Sequence, residues 1–304
     1  METKPRAHLL PALLAAVVVF GGSTRPCESS LYNAPPPAMT YHKGAVLEGA
    51  VTVSVLYYGA FPQHHRAVVA DFLLWWGTVE RYVRKATGGG EAGARVVLAS
   101  QVDDEGCSLG KRLSRAQVER LASRLGVAPG GVAVVLTAAD VVVEGFCSSA
   151  CGVHGSSAPG GAVHVWVGDA SAQCPGRCAW PFHAADGFAY DDAGRRAAHS
   201  HARADAALRA PNGDAGVDGM VINLAALMAG AVTNPYGRGY FQGDAAAPVE
   251  VAAACPGVYG RGAYPGYPGA VRVDAATGAG YNVVGRNGRR YLVPALAIHG
   301  ACST

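Results

Sequence analysis

The sequence predicts an α/β (α+β) fold: a central, mostly buried sheet with packed helices, disulfide-stapled loops and a C-terminal β-hairpin region. Three observations predict it. Strand-like and helix-like segments alternate through the first half of the chain, as in a layered sheet with helices on its faces. One strand, Val132–Thr137, is apolar almost throughout, as expected of a strand covered on both sides. Finally, 41 glycines, 18 prolines and 8 cysteines in 304 residues imply many turns and much irregular backbone held by cross-links.

In chain order, the segment from Glu28 to Thr40 carries three consecutive prolines, Pro35 to Pro37, and reads as an extended arm. The stretch Ala50–Tyr58 is β-branched and aromatic and ends at Gly59, a strand. From Gln63 to Lys85 the apolar residues Val68, Phe72, Trp75, Val79 and Tyr82 recur at three and four, a helix that Gly88–Gly90 ends. Arg95–Val102 is a second strand. Ser114 and Gln117 form a capping-box pattern at the start of a second helix, with Val118, Leu121 and Leu125 on its buried side and Gly126 at its end. After Val132–Thr137 come a short extension, Val141–Val143, and a strand with alternating character, Val163–Val167. Ala184–Ala210 lacks apolar periodicity and reads as a surface insertion. Asp218 is the expected N-cap of a nearly all-apolar helix from Gly219 to about Val232. Ala270–Asp274, Gly280–Val284 and Arg290–Val293 are separated by glycine-rich links and read as hairpin strands. The expected organisation is a signal peptide over 1–23, a Pro-rich arm over 24–40 and a single domain over 41–304 that contains the insertion at 184–210.

The N-terminus sets the compartment. Lys4, Arg6 and His8 make a basic start, Leu9–Phe20 is apolar, and Gly21 and Ser23 supply small residues before a cleavage point, the three parts of a secretory signal. That run is too short to span a bilayer, which takes about 20 residues, and no later apolar segment is expected to span one. The protein is therefore expected to be secreted. The net charge of +3 on the full chain is too small to argue for nucleic acid or an anionic membrane.

Secretion decides how the cysteines are read. Cys147, Cys151, Cys174 and Cys178 have spacings that a zinc site would also use, but an even count in an oxidising compartment favours disulfides. All eight (Cys27, Cys107, Cys147, Cys151, Cys174, Cys178, Cys255 and Cys302) are candidates, and eight cysteines allow 105 pairings. Bridges among the central four would fix loops at the two ends of Val163–Val167, and reducing them should loosen that region. No cofactor or metal is expected.

Catalytic candidates are sparse. No hydrolase elbow and no His-x-x-x-His pair occur. His154 and His183 are pocket candidates, as is Glu250; His154-Gly155 reads as a turn, and His164 as a partly exposed residue on the face opposite Val163, Val165 and Val167. His199 and His201 fall in the insertion and read as solvated. Asp140, Glu144, Asp214, Asp218 and Glu250 are the carboxylates from which an acid–base pair for glycan hydrolysis would be drawn. Tyr259, Tyr264 and Tyr267 could stack on sugars, though tyrosines among Gly and Pro more often pack loops.

The motifs Thr40–Ala45, Val134–Asp140, Val143–Gly155, Val165–Gly168, Gln173–His183, Ala210–Asp214, Gly216–Met220, Ala231–Pro235, Cys255–Gly257 and Tyr264–Tyr267 together resemble the plant EXORDIUM and phosphate-induced protein family, over nearly the whole chain from Thr40 to Cys302. The resemblance implies a secreted cell-wall or apoplast protein linked to brassinosteroid-responsive growth and cell expansion, with no catalytic residues to carry over. The chain departs from the family pattern in the run from Asp71 into Trp75-Trp76, in the insertion, and in Cys27 and Cys107, two additions that become candidates to pair with each other. A weaker likeness, around Ala231–Pro235, Gly239–Phe241 and Glu250, is to secreted bacterial zinc metallopeptidases. It implies a degenerate peptidase-like scaffold, because Ala226–Gly230 stands where the catalytic His-Glu motif would be and offers no group that binds zinc or accepts a proton.

The expected function is therefore non-catalytic binding to an unknown wall component, receptor or peptide. The alternatives are an enzyme on wall glycans or peptides with an unrecognised centre, and a structural wall protein.

Overall fold

A computed structural model describes residues 37–76, 93–183, 207–298 and 300–304. The expected signal peptide, most of the expected Pro-rich arm, Cys27, the helix positions Val79 and Tyr82, His199, His201 and most of the insertion lie outside the described residues.

The elements follow the order β1 (Thr40–Tyr41), β2 (Gly49–Tyr58), α1 (Gln63–Trp75), β3 (Ala94–Asp104), β4 (Arg112–Leu113), α2 (Arg115–Ser123), β5 (Val132–Thr137), β6 (Val142–Val143), β7 (Gly152–Ser156), β8 (Val163–Gly168), α3 (Pro175–Cys178), α4 (Ala215–Thr233) and β9 (Tyr240–Phe241). The main sheet has five strands in the order β3-β2-β5-β8-β7. Its first four strands run parallel, and β7 closes the far edge antiparallel to β8. Right-handed crossovers to opposite sides of β2 put α1 and α2 on opposite faces. Helix α4 packs on β7 and β8 and touches α1; α2 packs on β5 and β8. Covered on both faces, all six residues of β5 are buried.

The capping box of α2 forms as its residues dictate: Ser114 Oγ accepts from the Gln117 amide, and the Gln117 side chain accepts from the Ser114 amide at 2.8 Å. For α4 the cap differs from expectation. Asp214, not Asp218, is the N-cap and accepts from the Val217 amide at 3.0 Å. Asp218 sits inside the first turn, only 2% exposed, with both oxygens bonded by Asn212. The expected absence of any spanning-length segment is also corrected. The 19 residues of α4 are long and apolar enough to cross a membrane by length and composition, yet 78% of that window is buried inside the protein.

A second correction concerns His154-Gly155, which forms part of strand β7 and not a turn. The glycines that hide this strand in the sequence permit its packing. A Cβ at Gly152 would fall 2.7 Å from Leu227 Cδ1 of α4 and closer still to the Trp166 carbonyl.

Among the described residues three disulfides form: Cys147–Cys174, Cys151–Cys178 and Cys255–Cys302. The first two run in register, four residues apart at each end. They tie the entry to β7 to the exit from β8. Because the two strands are antiparallel, with Gly152 opposite Val167, both bridges lie at one end of the hairpin, not at the two ends of β8. Cys107 is not bridged: it carries a buried free thiol at a left-handed turn position after β3 (φ 52°), with Sγ against the Glu105 carbonyl. Burial raises its pKa, which nearby Lys111 partly offsets.

The C-terminal region consists of short antiparallel pairs, Arg272–Val273 with Gly280–Tyr281 and Val283–Val284 with Arg290–Tyr291. A further pair, Leu296–Ile298 with Ala301–Ser303, was not legible in the sequence; it carries Cys302 of the third disulfide. Tyr291 Oη donates to the Val68 carbonyl at 3.0 Å and Arg289 Nε bonds Asp71 at 2.8 Å, which docks this region on α1.

Candidate functional site

A groove of about 540 Å³ runs beside the open edge of β7. One side is β7 and the loop after it, through Pro159; the other is the end of α4, from Leu227 to Gly237, and the segment at Pro248 and Glu250. Alternation along β7 turns the His154 side chain toward α4, under the groove. There His154 Nε2 meets Glu250 Oε2 at 2.7 Å. The other carboxylate oxygen accepts from Asn234 Nδ2 at 2.8 Å, while Asn234 Oδ1 accepts from the Gly239 amide at 2.7 Å. Asn234 is the C-cap residue of α4, so one chain of hydrogen bonds joins β7, the helix end and the 250 segment.

Gly230 makes the arrangement sterically possible. A Cβ there would stand 2.6 Å from His154 Nε2 and closer still to Glu250 Oε2. The His154 and Glu250 side chains are only 11% and 19% exposed. With Nε2 donating to Glu250, the remaining ring nitrogen, Nδ1, is buried and has no hydrogen-bond partner. Both oxygens of Glu250 are engaged, and the free nitrogen of the imidazole is closed to solvent. The pair holds three segments together.

The structure thus brings together two of the residues singled out from sequence, His154 and Glu250, although they lie 96 positions apart. It does not bring His183, which follows α3, is exposed and lies outside the groove. His164 is half-buried on the opposite face, beside Glu119 and Ser123 of α2. Burial lowers its pKa, against a smaller raising effect of Glu119. Of the other carboxylates, Asp140 pairs with Lys111 and Glu144 accepts from the Arg115 amide. Tyr259 is buried, whereas Tyr264 and Tyr267 are exposed on a turn.

Sequence reasoning missed Asn234 and His65. His65, in the first turn of α1, lies 3.4 Å from Asp214. This close contact with His65 is the largest cause that holds the Asp214 carboxyl down at about 2, with the Val217 and Gly216 amides adding to it and burial opposing. Nearby Asp218 is pushed up to about 7 by burial, against the opposing pull of Asn212. The sequence signal for His65 was the His64-His65 pair near a helix start.

Among the described residues, no three His, Cys, Asp or Glu side chains come together to hold a metal. The residues at Ala226–Gly230 pack α4 against β7 and the His154–Glu250 pair.

Comparison with known proteins decides the family. The model of the phosphate-induced protein 1 conserved region matches residues 39–74 and 73–304. The chain belongs to the EXORDIUM and phosphate-induced protein family. Protein EXORDIUM of Arabidopsis thaliana is 43% identical over 88% of this chain and 88% of its own length. Protein PHOSPHATE-INDUCED 1 of Nicotiana tabacum is 44% identical, covering 85% of this chain and 84% of its own. EXORDIUM-like 1 of Arabidopsis thaliana is also 44% identical, over 84% and 85%. No solved structure matches the chain, so the likeness to zinc metallopeptidases has no support, and this EXORDIUM-family scaffold is described in its own right as an α/β protein with a mixed central sheet.

Proposed function

We propose that the protein is secreted to the apoplast or cell wall and acts there by binding, without turnover, in brassinosteroid-responsive growth and cell expansion. The observation that carries the binding reading is the groove beside β7. It is large enough for a ligand, yet its one acid–base pair is internally satisfied and its free imidazole nitrogen is buried. Three disulfides favour an oxidising compartment, in keeping with the signal-like N-terminus. The ligand is a wall component, a receptor or a peptide.

The test is binding of the purified protein to fractionated wall material. Saturable binding to a defined fraction is the expected result. Turnover of a wall glycan or peptide that disappears in Glu250→Ala would overturn it in favour of an enzyme. Absence of both, with release only by harsh wall solubilisation, would favour a structural role.

A further inference from the structure

Strand β7 lies at the edge of the main sheet, and its backbone shows which groups are free. The Gly168 amide donates to the Cys151 carbonyl at 3.3 Å. In an antiparallel ladder, hydrogen-bonded and non-hydrogen-bonded pairs alternate. The pairs bonded to β8 are therefore Val153 with Trp166 and Gly155 with His164. Gly152, His154 and Ser156 turn their amides and carbonyls away from β8, along the groove. These groups have no backbone partner among the described residues.

An open edge is a template for another strand, and proteins commonly blunt it with lysine, proline or a covering segment. Between Gly152 and Ser156 there is no lysine, no proline and no other charged side chain apart from His154. The edge is instead flanked by Leu227, Pro235, Tyr236 and Pro248, surfaces that accept the alternate side chains of an extended chain. Among the described residues, Glu250 is the only acid lining the groove, and neither Lys nor Arg lines it.

We propose that β7 accepts an extended peptide, neutral or basic in side-chain character, as a sixth strand of the main sheet, through the outward-facing amides and carbonyls of Gly152, His154 and Ser156. This rests on the binding reading above and names its ligand class.

The experiment pans the full chain against a random nonapeptide library displayed on phage and remakes the selected peptides synthetically. Ser156→Pro removes one outward amide while leaving the β8 ladder intact, a substitution that edge positions tolerate. Ser156→Ala removes only the hydroxyl. Selected peptides are expected to bind wild type and Ser156→Ala equally, and Ser156→Pro about tenfold more weakly, the effect of one backbone hydrogen bond. N-methylation of alternate peptide residues should abolish binding in one register and spare it in the other. This second measurement uses the wild-type chain and stands even if Ser156→Pro folds poorly. Peptide binding should also slow hydrogen exchange at Gly152, His154 and Ser156.

Equal sensitivity to both methylation registers would overturn strand addition. So would a concentration-dependent dimer that protects the same amides, which assigns the edge to a second copy. Saturable, equal binding of wild type and Ser156→Pro to wall material, with no peptide selected, sinks strand addition and leaves the binding reading intact. Selected peptides with the expected pattern, but no wall binding by the wild type, sink the wall location and leave strand addition standing.

Discussion

A single hydrogen atom at position 230 decides whether the His154–Glu250 contact can form. Gly230 sits near the end of α4, where glycine costs about 1 kcal/mol of helix stability relative to alanine. An alanine there would regain that propensity but drive its methyl into both polar partners. Overpacking of this kind costs about 1–3 kcal/mol, and separating the buried pair adds an unmade hydrogen bond. Gly230→Ala is therefore expected to lower the urea midpoint and to narrow the groove, whereas ordinary helix propensity predicts stabilisation. The sign of the change distinguishes the two. His154 and Glu250 were legible as candidates from their residue types. Their meeting was not, because it depends on a 96-residue separation and on a glycine whose role is only to be small.

At the level of elements, periodicity and turn chemistry were read most directly where the residues themselves supply the signal. Strand β5, with its unbroken apolar run, and α2, with Ser114 and Gln117, are of this kind. Strand β7 was not legible, since two of its five residues are glycine, its sheet pairing comes from β8 and its packing from α4. The paired bridges at the base of the β7–β8 hairpin have their own energetics. Each spans 27 residues, and closing such a loop alone is worth about 3.5 kcal/mol on the chain-entropy model. With one bridge in place the other closes only a short residual ring, worth about 2.5 kcal/mol by the same relation. Removing either bridge by paired Cys→Ala substitution should therefore cost about 2–3 kcal/mol, and removing both about 6 kcal/mol. Urea unfolding of the three variants checks this; a double loss no larger than one single loss would show that the hairpin is held by packing alone.

Over the whole molecule, the two acids at the start of α4 pull stability in opposite directions with pH. Asp214, depressed to about 2, contributes stability that is present above its ordinary value of 3.8 and is lost as pH falls toward 2. Asp218, raised to about 7, holds its proton in the folded state while the unfolded chain has lost it, so stability falls as pH rises from about 4 to about 7. Asp218→Asn removes that titration. The prediction is a flattened dependence of the urea midpoint between pH 4.5 and 7.5, while wild type declines. An equal decline in both would refute the buried-acid account.

Helix α4 has one more consequence. Outside the folded protein, Ala215–Thr233 has the length and polarity of a segment that partitions into lipid. Its safe burial depends on the order in which the chain is made. Strands β2, β5, β7 and β8 all precede α4 in the sequence, so they leave the ribosome before it does. The surface that will receive this greasy stretch is therefore already encoded upstream when the helix emerges. A circularly permuted chain that began at α4 would have to release this lipid-like segment from the ribosome before any of its berth existed.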